Sequence, residues 1–341
     1  METIRLGRTD LIVTRSGFGA LPIQRVAMDD AARLLRAAYE GGITFYDTAR
    51  AYTDSEAKIG AALGDVREKI VIATKTHGAS AEKLAEDLDT SLCELRTDYI
   101  DLYQFHIAKK CHRPGEPDGL YDAMLRARDA GRVRHIGLTA HRLDVALEAA
   151  ASGLYDTVQF PLNYLSSEKE LALVALCAAH DVGFIAMKAL SGGLVTDASL
   201  AFAFLRQYPN VVPIWGIQKQ SELEEFLRFE KTPPLLDAAR RERIERDKAE
   251  LGGDFCRGCG YCLPCPAEIE LNWVMRMPEV LRRMNPAEFV TEEWQKKMER
   301  AKDCIQCGTC KTRCPYELDP PTRIIESYEN YRAFLREWST R

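Results

Sequence analysis

Eight of the eleven cysteines lie beyond residue 255, in two runs. The first reads Cys256-Arg-Gly-Cys259-Gly-Tyr-Cys262-Leu-Pro-Cys265-Pro266, the second Cys304-Ile-Gln-Cys307-Gly-Thr-Cys310-Lys-Thr-Arg-Cys314-Pro315. Three cysteines, each separated from the next by two residues, wrap one face of a cubane iron–sulfur cluster. A fourth, set just ahead of a proline, ligates the partner cluster. The spacing therefore predicts two [4Fe–4S] clusters with exchanged fourth ligands. One takes Cys256, Cys259, Cys262 and Cys314; the other takes Cys304, Cys307, Cys310 and Cys265. The first run has two residues rather than three before its last cysteine, a departure from ferredoxin spacing. Zinc is the competing reading, but closed Cys₄ zinc sites are usually built from separated Cys-x₂-Cys pairs. Clusters can carry electrons or simply hold a small domain folded, and both roles stay open here. Cys93, Cys111 and Cys177 read as ordinary small hydrophobes, with Cys111 in the loop after His106 and so near a substrate pocket.

A second constellation sits in the first third of the chain. The segment Phe45-Tyr-Asp47-Thr-Ala49 runs on to Tyr52 and Ser55-Glu56; Ile72-Ala-Thr-Lys75 and Asp101-Leu-Tyr-Gln-Phe-His106 follow. Asp, Tyr, Lys and His converging on one spot suit carbonyl reduction. Tyr52 protonates the developing alkoxide, and a neighbouring ammonium, Lys75, lowers the phenol's pKa to make it a better acid. Asp47 pairs with Lys75 and holds it. His106 orients the carbonyl oxygen and donates a hydrogen bond to it. Each residue alone has an ordinary explanation, as a helix cap, a loop aromatic, a surface charge or a satisfied histidine. The four together at strand ends do not.

Those positions need a scaffold. Runs rich in Val, Ile, Phe and Tyr predict strands near 17–20, 43–46, 70–74, 99–105, 133–138, 157–160, 182–187 and 211–214. Amphipathic stretches such as 29–40, 81–95 and 168–180 lie between them. Eight alternating strand–helix units imply a parallel sheet, and eight close a (β/α)₈ TIM barrel, whose active site lies at the C-terminal strand ends. The rival, an open doubly wound sheet, lacks its glycine fingerprint after the first strand. The expected organisation is an α/β barrel over 1–232, a charged linker helix over 233–252 ended by Gly252-Gly253, and a mainly helical ferredoxin-like domain over 253–341. The net charge of −5 argues against a nucleic-acid partner. No apolar run of about 18 residues is present, so no membrane partner is expected. The first residues lack signal-peptide character, so the expected compartment is cytoplasmic.

The Asp47, Tyr52, Lys75 and His106 segments resemble the aldo-keto reductase family, and the cysteine tail resembles its branch with a ferredoxin-like domain. The resemblance covers essentially the whole chain. It implies that these four residues are the catalytic tetrad, that NAD(P)H donates hydride, and that a small carbonyl or alcohol is the substrate. It also implies a nicotinamide pocket lined by Gly19 and Ala20, with Thr139 (where the family has Ser) and Gln159 on the carboxamide. Ala140 replaces a frequent Asn. Met187 stands where many members stack an aromatic ring, and Lys188 follows it toward the site. Gly216, Gln218, Lys219 and Glu222 fall in the nucleotide-binding loop. A carboxylate at Glu222 would repel a 2′-phosphate and Lys219 could compensate, which leaves NADH and NADPH both open. Nicotinamide moves two electrons and a cluster one, and no flavin motif is visible to split the pair. The alternative is therefore an iron–sulfur electron-transfer or redox-sensing protein, with a ferredoxin-like partner, whose barrel no longer uses nicotinamide.

Overall fold

β-Branched and aromatic residues dominate the short apolar runs, and each run is followed by a segment of helical period. In the computed structural model, which describes residues 1–251 and 255–339, these runs become eight parallel strands. They are β3 (Gly17–Gly19), β4 (Phe45–Asp47), β5 (Val71–Thr76), β6 (Ile100–Phe105), β7 (Val133–Thr139), β8 (Thr157–Pro161), β9 (Gly183–Met187) and β10 (Val211–Gly216). They pair in sequence, and β10 pairs with β3 to close the barrel. The eight-stranded expectation holds. An antiparallel hairpin of β1 (Thr3–Arg5) and β2 (Ile12–Thr14) was not anticipated. Its strands are only three residues long and largely solvent-facing at the first, so no periodic signal marks them. Leu6, Leu11 and Val13 from this hairpin join Phe45, Ala73, Leu102, Ile185 and Val212 in one buried apolar cluster, against which Met187 packs.

Above that apolar floor the barrel interior turns polar. Register places Lys75 beside Gln104, Gln104 beside Gly137, and Thr139 beside Gln159. Gly137 is the residue that gives this layer room: a Cβ there would collide with Thr157 Oγ1 and lie 3.0 Å from Gln104 Cγ. Gly137→Ala should therefore destabilise the barrel by about 1–3 kcal/mol through overpacking. A shift in the urea midpoint at unchanged slope would register it.

The intervening helices are α1 (Met28–Glu40), α2 (Ser55–Leu63), α3 (Ala81–Leu95), α4 (Leu120–Asp129), α5 (Leu143–Ala151), α6 (Glu168–Ala179), α7 (Ala198–Leu205) and α8 (Gln220–Lys231). Their starts are chemically marked. Ser80 caps α3, and Ser167 with Glu170 forms a capping box on α6.

The chain divides into two compact units, one of residues 1–189 and 202–236, the other of 190–201 and 237–341. Helix α9 (Ala238–Leu251), read from sequence as a linker, groups with the second unit. There its Asp247 pairs with Arg283 at 3.2 Å, and Ile244 and Leu251 are buried. The anticipated Gly252-Gly253 stop lies outside the described residues. The remainder of the second unit holds α10 (Leu271–Val274), α11 (Met277–Arg283), α12 (Glu292–Glu299), α13 (Thr309–Arg313) and α14 (Pro320–Trp338). Trp273, Phe289 and Trp294 pack ring to ring, and Tyr331 on α14 donates to Phe289 O at 2.7 Å. Among the described residues no helix is long and apolar enough to cross a membrane.

Candidate active site and cysteine cavities

Asp47 ends β4, Lys75 lies near the end of β5, and His106 directly follows β6, so three adjacent strands deliver their side chains to one mouth. Both Asp47 and Lys75 are buried, and Lys75 Nζ donates to Asp47 Oδ1 at 2.6 Å and to Thr48 O at 2.5 Å. Burial pushes the Asp47 carboxyl up and the Lys75 ammonium down, each opposed by the partner's charge. Tyr52 sits on the tight turn into α2, where its amide donates to Ala49 O and its carbonyl accepts from Ser55 N. Ser55 bonds Thr48 Oγ1 and Ala20 O, which ties the tyrosine turn to the loop after β3. Beneath it Glu56 accepts from Thr74 at 2.5 Å and pairs with Arg50. Lys75 Nζ lies 5.3 Å from the Tyr52 ring centroid, and the His106 ring meets the Tyr52 ring edge-on at 5.6 Å.

The electrostatics differ from the expectation in one respect. Burial, with Asp47 nearby, raises the Tyr52 hydroxyl well above the ordinary phenol range instead of lowering it. The Lys75 ammonium is hydrogen-bonded to Asp47 and Thr48, and its pull on the phenol does not outweigh desolvation. The phenol, protonated in the neutral range even at its ordinary value, stays in the state a proton donor needs. His106 is held well below its usual range by burial and by Lys75, so its imidazole is neutral. Its Nδ1 is buried and has no partner among the described residues.

The cysteines gather as two sets. One cavity is lined by Cys256, Cys259, Cys262 and Cys314. Another is lined by Cys265, Cys304, Cys307 and Cys310, with Cys262 also at its border. Both sets take their fourth cysteine from the opposite run. None of the eleven cysteines is in a disulfide. Burial lifts Cys256 and Cys310 above their usual range and Cys262 to about 12, while a hydrogen bond to Thr309 lowers Cys307. Thiols crowded at one cavity resist ionisation unless cationic charge sits among them.

The aldo/keto reductase family model matches residues 16–201, more than half of the chain. The chain belongs to the aldo/keto reductase family. A 4Fe-4S dicluster domain model matches residues 255–319, across both cysteine runs. The chain is 30% identical to the L-galactose dehydrogenase of Arabidopsis thaliana over 58% of its length and 68% of that protein. It is 28% identical to the aldo-keto reductase YhdN of Bacillus subtilis over 58% of its length and 64% of that relative. Among solved structures, the holo form of an aldo-keto reductase from Bacillus halodurans shares the fold. The TM-score is 0.62 at 23% identity, covering 72% of this chain and 96% of that one.

In this aldo/keto reductase several cofactor candidates already have partners in the fold. Gln159 donates to Asp47 Oδ1 at 3.4 Å and accepts from Gln104 at 3.0 Å. Thr139 Oγ1 accepts from Ile107 N at 2.9 Å. Glu222 Oε2 accepts from the amides of Gln218 and Lys219 at 2.8 and 3.1 Å, so its carboxylate caps α8. Gln218 Oε1 accepts from Arg25. Gly216 and Lys219 are exposed, Met187 and Lys188 are half-buried, and Ala20 is buried with its amide donating to Asp47 O. Gly19 lies under the Trp215 carbonyl, where a Cβ would come to 3.0 Å.

Sequence reading missed Gln104, which bridges Asp47 and Gln159; an inward polar residue in an apolar strand was the available signal. It also missed His77, stacked on His106 at 4.1 Å, and buried His141, whose pKa burial and Lys188 hold down. Arg25 was missed because it lies in a short 3₁₀ turn with no periodicity. Cys93 is exposed, unlike the small hydrophobe expected, whereas Cys111 and Cys177 are buried.

Proposed function

We propose that the barrel interconverts a small carbonyl compound and its alcohol, with Asp47, Tyr52, Lys75 and His106 as its working groups. The observation that carries this reading is the single contact set in which the Lys75 ammonium pairs with Asp47 at 2.6 Å and lies 5.3 Å from the Tyr52 ring centroid, with His106 edge-on to that ring. In the reductive direction Tyr52 gives its phenolic proton to the substrate oxygen. Lys75 then steadies the phenolate left behind, and Asp47 keeps that ammonium charged and in place against the cost of burial. The neutral His106 offers a ring N–H to the same oxygen.

Nicotinamide, when bound, supplies the hydride. The donor set at the end of β10 suits an anionic dinucleotide. Gly216 is exposed, Arg25 and Lys219 bring positive charge, and the Glu222 carboxylate accepts from the Gln218 and Lys219 amides just ahead of α8. Gly19, Ala20, Thr139, Gln159, Met187 and Lys188 border the nicotinamide end in this reading. The two cysteine cavities would each hold a [4Fe–4S] cluster, through Cys256, Cys259, Cys262 and Cys314 and through Cys265, Cys304, Cys307 and Cys310. The exchanged fourth ligands support that reading over zinc.

The test uses oxygen-free protein. NADH and NADPH are titrated against it, and hydride transfer is followed to a panel of aldehydes, ketones and, after the Arabidopsis relative, sugars in the oxidative direction. Saturable binding with transfer to at least one class is expected. No binding of either nucleotide, with reversible reduction by a ferredoxin, would instead favour the electron-carrier reading. Iron and acid-labile sulfide should each come to about eight per chain; zinc in their place would remove the clusters.

A further inference from the structure

Within the second unit one buried charge has no counter-ion among the described residues. Arg276, between α10 and α11, is 6% exposed. Its Nη2 donates to the carbonyls of Ser191 and Gly192 at 3.3 and 3.1 Å, and its guanidinium lies 5.7 Å from the Trp273 ring centroid. Among the described residues its Nε has no partner and no carboxylate reaches it at ion-pair distance. The nearby Glu279, whose carboxyl burial pushes up, pairs instead with Arg282 at 3.5 Å. A buried cation without a carboxylate needs another anion close by. One is at hand. The Arg276 Nη1 lies so close over Gly258, inside the Cys256-Arg257-Gly258-Cys259 loop, that a Cβ on Gly258 would come within 2.8 Å of it. Gly258 has φ +61, and its amide points to Cys256 Sγ at 3.5 Å. Among the described residues no buried cation lies beside the other cysteine set. Its Cys307 is exposed, Lys311 is exposed and paired with Asp319, and exposed Arg313 donates to the carbonyls of Leu263 and Pro264.

We infer that Arg276 is a potential-setting residue: its buried charge raises the reduction potential of the cluster on Cys256, Cys259, Cys262 and Cys314. The inference rests on the two-cluster reading above. A one-electron donor adds one negative charge to a cluster, and no bond to a ligand breaks. A cluster set deep in protein resists that charge, and a cation fixed beside it, out of reach of salt, favours the reduced form. Arg276 thus offsets the penalty that burial of Cys256 and Cys262 imposes, and it does so at one cluster only.

The experiment is an anaerobic dithionite titration of the full-length holoprotein, followed by the EPR of the reduced clusters. Wild type, Arg276→Lys and Arg276→Gln are compared, with iron counted in each. In Arg276→Gln one cluster should shift at least tenfold toward the oxidised form at fixed potential, about 59 mV lower for one electron. The other should stay unmoved. Arg276→Lys, which keeps the charge, should stay within about threefold of wild type on the same scale. Equal potentials in wild type and Arg276→Gln at full iron content would overturn this inference and leave the two-cluster reading intact. Loss of half the iron from the Lys and Gln proteins alike would show that the side chain only holds the loop, and would also overturn it. Fewer than two clusters in the wild type would overturn the two-cluster reading, and this inference with it.

Discussion

Tyr52→Phe should lower the rate of carbonyl reduction by a factor of about 10²–10⁴, the usual contribution of a positioned general acid. It should leave the fold and the cluster absorbance unchanged. The substitution removes one oxygen and keeps the ring. The edge-on contact with His106 and the approach of Lys75 both belong to that ring. The turn is fixed by backbone bonds at Ala49 and Ser55, not by the phenol. What disappears is a donor that burial keeps protonated at neutral pH. The proposal gives no other group the task of protonating the substrate oxygen, because His106 is neutral and Lys75 is already bonded to Asp47 and Thr48. The loss should therefore fall on kcat, with nucleotide affinity nearly unchanged. Anaerobic turnover, circular dichroism and the visible absorbance together read all three. Turnover equal to wild type would remove Tyr52 from the chemistry.

The same residues show what a sequence discloses and what it withholds. Asp47, Lys75 and His106 were legible because each closes or follows a β-rich run, and a barrel gathers the C-terminal ends of its strands. The cysteines were legible because ligand spacing is local along the chain. Gln104 was not, since its role depends on lying opposite Lys75 on the next strand and on the absence of a side chain at Gly137. The direction of the Tyr52 shift was not either. Charge proximity and desolvation act on it in opposite senses, and only the depth of the turn decides which prevails. The same holds for Gln159, Thr139 and Glu222. Their types suit a nucleotide, yet their hydrogen bonds to Asp47, Ile107 and the Gln218 and Lys219 amides depend on three-dimensional neighbours. Helix α9 was found in the right place but grouped differently, because the burial of Ile244 and the Asp247–Arg283 pair cannot be read from its charged composition.

Breaking the Asp47–Lys75 pair should have the largest effect on stability, and its two halves should fail in opposite directions with pH. Removing one partner of a buried ion pair typically costs about 3–5 kcal/mol, because the other charge is left uncompensated. In Lys75→Met the stranded group is the Asp47 carboxyl, whose pKa burial already raises and whose relief by Lys75 is now gone. A raised carboxyl is tolerated while protonated, so this variant's deficit should be small in acid. It should grow as pH rises above the ordinary carboxylate range near pH 4. In Asp47→Asn the stranded group is the Lys75 ammonium, which burial pushes down. A depressed ammonium is tolerated while neutral, so here the deficit should be small in alkali. It should grow as pH falls below the ordinary lysine range near pH 10. Urea midpoints of the two variants and wild type, taken without oxygen at about pH 5.5 and pH 9, should therefore cross. The double variant should lose less than the sum of the singles, since it strands no charge. Both proteins should lack carbonyl reductase activity at either pH, which separates the pair's catalytic part from its structural one. Parallel pH slopes for the two single variants would mean that the pair is not held as buried charge, and the positioning of Tyr52 by Lys75 would then have to be abandoned.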